Sequence, residues 1–197
     1  MNSRLLPVLV SVPAVVCAII GLTHPVTLDA ASAQYWRNIH IVLIPILPLL
    51  GFAPWLIARQ STRGLAIAAA IFGYGFAVFY TSLDLLAGVA AGAEVAAGVE
   101  GGAAPVFAIA RVLGVVGVGS LVLGCLTAGV AAFRVAGIAT LPGTILAVVG
   151  AVLVQPGHIY AGLGTVAMLL LAGGFVIVAI VTTRTSRAGR PEPGYLA

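Results

Sequence analysis

The chain has 197 residues, of which 61% are hydrophobic and only 7% charged, and its mean hydropathy is +1.20. Soluble domains carry about 25% charged residues, so a water-soluble globular domain is excluded. The formal net charge is +4, and all nine basic residues are arginines that stand at the ends of apolar runs; with no basic face, a nucleic-acid surface is excluded too.

About 20 apolar residues cross the hydrocarbon core of a bilayer. Runs of roughly that length fall at residues 5–22, 39–58, 64–90, 105–132, 137–155 and 159–183. The expected fold is therefore all-α, an integral membrane bundle of six transmembrane helices.

The first run follows Arg4. It also has the outline of a signal peptide, with Ala31-Ser32-Ala33 as a cleavage site, but the tract between run and site is long for that purpose. An outer loop over residues 23–38 holds His24, Pro25, Asp29 and the aromatic pair Tyr35-Trp36, which suits a membrane surface. The second run starts beside His40 and contains Pro45, Pro48 and Pro54. Each proline lacks an N–H donor and predicts a kink. The third run returns outward past Asp84. Residues 91–104, rich in Gly and Ala, read equally as a loop or as a short surface helix.

The fourth run carries Arg111 near its outer end, and Gly114, Gly117 and Gly124 let neighbouring helices approach closely. Pro156-Gly157 predicts a tight turn after the fifth run, with His158 and Tyr160 directly behind it. After the sixth run, residues 184–197 read as a disordered polar tail. Cys17 and Cys125 lie in apolar runs at different depths and are expected to be free, buried thiols.

Charge sets the orientation. Arg4, Arg59, Arg63, Arg134, Arg184, Arg187 and Arg190, seven of the nine arginines, fall on one side, together with both termini. That side is the cytoplasm by the positive-inside rule. Asp29, Glu94 and Glu100 fall outside. The setting this predicts is the inner (plasma) membrane of a bacterium, with the lipid bilayer as partner and a homo-oligomer or larger membrane complex open to it.

Asp84 is the costly residue, since a carboxylate inside a span usually faces the bundle interior and finds a partner. It shares a helical stripe with Gly73, Ala77, Tyr80 and Ala87. Arg111 lies at matching depth on the next antiparallel run, so an Asp84–Arg111 ion pair is expected, with Tyr80 and Tyr160 facing the same outer pocket. The only three histidines, His24, His40 and His158, all fall at outer ends of runs. Together they are candidate ligands for Zn²⁺ or Cu²⁺, or for haem, with Asp84 orienting one of the rings.

No nucleotide loop, CxxC, nucleophile elbow or acidic pair is present, which points away from an ordinary enzyme. Three classes follow. One is a membrane protein holding a metal or haem at its outer face. Another is a small transporter or proton-coupled carrier using Asp84 and Arg111, and the third is a non-catalytic subunit or scaffold.

Overall fold

The computed structural model describes residues 5–188. It is all-helical, with no strand among the described residues. The helices are α1 Leu6–Gly21, α2 Ala33–Leu43, α3 Leu47–Ala58, α4 Arg63–Leu83, α5 Ala91–Ala96, α6 Ala103–Ala136, α7 Leu141–Gly157 and α8 Leu163–Ala188. A π-helical turn, Asp84–Ala90, joins α4 to α5, and a 3₁₀ turn, Gly137–Thr140, joins α6 to α7.

Four helical stretches are long and apolar enough to cross a membrane: Ala33–Ala58, Arg63–Ala96, Ala103–Gly157 and Leu163–Ala188. Leu6–Gly21 is a shorter apolar helix. The six expected runs thus do not map one to one, because residues 105–132 and 137–155 fall within a single helical stretch. That stretch nevertheless folds back on itself. Gly137 has φ +63°, a conformation open to glycine at little cost, and beyond it α7 packs along α6 so closely that a Cβ on Gly129 would overlap Thr144.

Other boundaries move for identifiable reasons. Pro45 has no N–H to give to the carbonyl one turn earlier, and the expected interruption is a turn at residues 44–46 that divides α2 from α3 within the one stretch Ala33–Ala58. Residues 91–96 continue the preceding rod as α5, and the glycine turns come afterwards, at Gly98 and Gly101. Residues 184–188 of the expected tail are the last turn of α8; residues 189–197, and with them Arg190, lie outside the described residues.

Packing is carried by apolar side chains and by glycine. Val10, Leu47, Phe76, Leu121, Met168 and Phe175 lie in one continuous core. At the α3–α4 crossing the backbones of Gly51 and Gly73 touch, so that a Cβ on either would overlap the other's carbonyl oxygen. On α7, Gly143, Gly150 and Gly157 repeat every seventh residue and present one face to α8. α1 packs on α8, with Gly21 against the carbonyl of Ile159. Cys17 and Cys125 are free and buried.

The two ends of the bundle differ. At one end Arg59 lies over the Trp55 ring, 5.3 Å from its centroid. Gln60 bonds Thr182 there, and the ends of α3 and α6 meet the start of α4 around Ala58, Ala69 and Ala131. Arg63 and Arg134 belong to the helix ends meeting there. The opposite end holds all three histidines.

Candidate metal centre

Each histidine is delivered by a different piece of chain. His24 follows α1 in the loop that leads to α2. Asp29 and Ser32 stiffen this loop: Asp29 Oδ1 accepts from the N–H groups of Ala31 and Ser32 at 2.9 and 2.8 Å, and Ser32 Oγ accepts from the N–H of Asp29 at 3.0 Å. These bonds close a side-chain turn immediately before α2. His40 stands on α2 one turn after Trp36, on the same face.

His158 ends α7 in a turn closed by the bond from Tyr160 N–H to the Gly157 carbonyl, 3.0 Å. Its φ of 43° and ψ of −128° approximate the first central position of a type II′ turn, where glycine is the preferred residue. It is the one non-glycine residue at positive φ among the described residues. Backbone held in such a conformation costs about 1–3 kcal/mol and concentrates at functional sites.

The hydrogen bonds of the three rings follow one pattern. His24 Nδ1 lies 2.7 Å from the Pro25 carbonyl oxygen, and His40 Nδ1 lies 2.7 Å from that of Trp36. A carbonyl only accepts, so in both rings Nδ1 carries the proton and Nε2 keeps its lone pair. His158 Nδ1 is 2.7 Å from the Tyr80 hydroxyl; with Nδ1 as donor, this ring also keeps Nε2 free. One ligand nitrogen from each ring lies within 4.8 Å of the others.

His24 Nε2 and His40 Nε2 are 3.3 Å apart. Two neutral rings tied in this way cannot hydrogen-bond through those atoms, because neither has a proton to give. A cation between them removes the conflict. Two nitrogens on a tetrahedral ion at about 2.0–2.1 Å stand about 3.3–3.4 Å apart, which matches this pair. The wider separation involves His158, whose partly buried ring has to move inward to join them.

Burial favours neutral rings. It lowers the pKa of His24, outweighing the Pro25 carbonyl, which acts the other way. It also holds His158 well below the ordinary value, helped by the nearby His40 and His24 rings. The shell around them is aromatic. The centroid of the His24 ring is 4.8 Å from that of Trp36, 4.7 Å from Tyr160, 4.9 Å from His40 and 5.8 Å from His158.

Asp84 opens the π-helical turn and is fully buried. The expected pair with Arg111 does not form. Asp84 Oδ1 instead lies 3.8 Å from His40 Nε2, the one ion-pair contact among the described residues. Equal depth on adjacent helices fixes height but not direction, and the wide turn packs against α2. Nor does Asp84 orient His40 from behind, since Nδ1 is already taken by Trp36. It approaches Nε2, the edge that faces His24. Among the described residues neither carboxylate oxygen has a hydrogen-bond partner, a costly state for a buried charge that a bound cation would relieve.

Two residues that sequence reading did not place in the site complete the arrangement; one of them, Trp36, is expected at the membrane surface but is buried here. Trp36 donates its indole N–H to the Ala87 carbonyl at 2.9 Å, binding α2 to the π turn, where the wider winding makes carbonyls available. A Cβ on Gly88 would overlap the His40 ring. The available signals were the four-residue spacings Trp36–His40 and Asp84–Gly88, each of which keeps the pair on one face.

Tyr80 and Tyr160 both line a cavity of about 250 Å³ beside the histidines, together with His40, His158 and Arg111. Of the expected pocket residues, Tyr80, Arg111 and Tyr160 line this cavity, whereas Asp84 is not in its wall and lies against the Nε2 edge of His40. Compared with protein-family models, curated proteins and solved structures, the chain matches none, and the functional reading rests on this geometry.

Proposed function

We propose that the protein is a multi-pass membrane protein that holds one divalent transition-metal ion at the outer end of its bundle, through His24, His40 and His158. The observation that carries the reading is the shared hydrogen-bond pattern: every Nδ1 lies 2.7 Å from an oxygen, the Nε2 atoms of His24 and His40 face each other at 3.3 Å, and one nitrogen from each of the three rings lies within 4.8 Å of the others. Nitrogen ligands oriented by a bond at the other ring atom are the usual form of a protein metal site. Asp84, on the ligand side of His40, supplies negative charge and a fourth donor oxygen. Three imidazoles and one carboxylate suit Zn²⁺ or Cu²⁺.

The membrane part of the reading has the chain crossing six times, the passes being α1, α2–α3, α4–α5, α6, α7 and α8, with both termini cytoplasmic. Support comes from the fold-back at Gly137 and from large apolar side chains left exposed all along the helices, among them Ile19, Phe52, Ile71, Val112 and Leu169. Arg59, Arg63 and Arg134 gather at the end away from the histidines, as the positive-inside rule requires of the cytoplasmic end. A carrier built on an Asp84–Arg111 pair loses its motivation, because those two side chains do not meet.

Metal titration of protein purified in detergent and stripped of metal tests the reading. Wild type is expected to bind one Zn²⁺ or Cu²⁺ per chain, and His24→Ala, His40→Ala and His158→Ala each to weaken binding at least tenfold. No saturable binding by wild type would overturn it.

A further inference from the structure

The cavity beside the histidines has its own chemistry. Its inner wall is formed by His40 and His158, and its sides by Trp36, Tyr80, Phe107 and Tyr160. Arg111 and Gln155, both exposed, stand at its edge. At about 250 Å³ it falls just below the range of about 300–1,000 Å³ typical of drug-sized ligands, so its occupant is small.

The charge at the edge is uncompensated. Among the described residues no carboxylate lies within 4.0 Å of Arg111. Arg111 stands two turns inside α6, and a cation below the membrane surface is expensive unless an anion meets it. A guanidinium offers a planar fork of N–H donors that matches a carboxylate with two parallel bonds. The Gln155 amide adds a further donor beside it, and the aromatic walls favour an apolar body over a fully hydrated inorganic ion.

We propose that this cavity is a binding site for a small organic carboxylate, its anionic end on Arg111 and Gln155 and its body between the aromatic walls, pointing at His40 and His158. The site needs no metal to form, so it goes beyond the metal reading. With an ion on the histidines, a bound carboxylate stands next to it, because His40 and His158 belong to both sites.

Trp36 is a built-in reporter. The only other tryptophan, Trp55, is at the opposite end of the bundle, so Trp55→Phe leaves Trp36 as the sole indole. In that background, metal-free protein in detergent is titrated with benzoate, with its neutral counterpart benzamide and with inorganic phosphate. Benzoate is expected to change Trp36 fluorescence saturably, and benzamide and phosphate to bind at least tenfold more weakly. Arg111→Gln is expected to lose at least tenfold in benzoate affinity and Arg111→Lys to lose less. Arg111 is exposed, so both variants are expected to fold. Equal response to benzoate and benzamide, an unchanged Arg111→Gln, or no saturable response to benzoate overturns the proposal. Phosphate binding as tightly as benzoate overturns the organic class. Repeating the titration with Zn²⁺ present keeps the two sites apart: benzoate binding without any Zn²⁺ binding upholds the cavity while sinking the metal centre.

Discussion

His158 occupies a backbone position that glycine would fill more comfortably, and that conflict separates its role in the site from its role in the fold. In His158→Gly the turn relaxes, recovering about 1–3 kcal/mol of backbone strain, while the bond to Tyr80, worth about 0.5–1.5 kcal/mol, is lost. The melting temperature of the metal-free protein is therefore expected to stay level or rise while Zn²⁺ affinity falls at least tenfold, as read by thermal unfolding and metal titration of one sample. A steep drop in melting temperature would mark the ring as a packing element. Gly88→Ala acts the opposite way. The new methyl collides with the His40 ring, so stability falls by about 1–3 kcal/mol, as for overpacking in a tight core, and metal affinity falls with it although no ligand has been touched.

Among the elements, the loop before α2 matters because it fixes where His24 emerges. Hydrogen bonds from the Ser32 and Ala31 N–H groups favour the Asp29 carboxylate and lower its pKa from 3.8. Since the folded value is the lower one, the unfolded chain binds the proton first. The stabilisation is present above pH 3.8, declines as pH falls below it, and is gone once pH has passed through the folded value. Wild type is thus expected to melt above Asp29→Asn at neutral pH and to converge with it in acid; a gap that persists there would assign the effect to something other than the ionised carboxylate. The elements also show how far sequence could reach. Apolar runs located nearly every helix, and three prolines marked the one that breaks, because those signals are local. The π turn has no such signature. Asp84 reads as the next residue of an ordinary helix, and its direction toward His40 instead of Arg111 depends on a backbone winding that side-chain periodicity does not encode. The strain at His158 was equally hidden: Pro156-Gly157 announced a turn, but the positive φ falls on the next residue, His158, while Gly157 packs against Gly164.

For the whole molecule, the convergence of the three histidines was legible as a shared end of the bundle and no further. Alternation of spans put them on one side; only packing brings one nitrogen from each of residues 24, 40 and 158 within 4.8 Å of the others. The six-crossing reading makes that side external. With Cys17→Ala and Cys125→Ala removing the native thiols, Asp29→Cys and Glu100→Cys are expected to react with an impermeant thiol reagent in intact cells. Arg63→Cys is expected to react only after the cells are opened. The reverse pattern would invert the topology, and labelling of all three in intact cells would break it.

The packing of α1 on α8 has a consequence for biosynthesis. The chain leaves the ribosome with α1 first, yet the surface that receives Leu6, Val10 and Cys17 includes a helix made much later. His24 and His40 are thus delivered early, with two lone pairs facing each other and no third ring, while His158 follows only after α7 has turned at Gly157. A chain stalled before that turn holds only two of the three rings and an α1 whose packing face is unclaimed. Under the proposed metal reading, an ion needing all three rings would load only after α7 and α8 have been made.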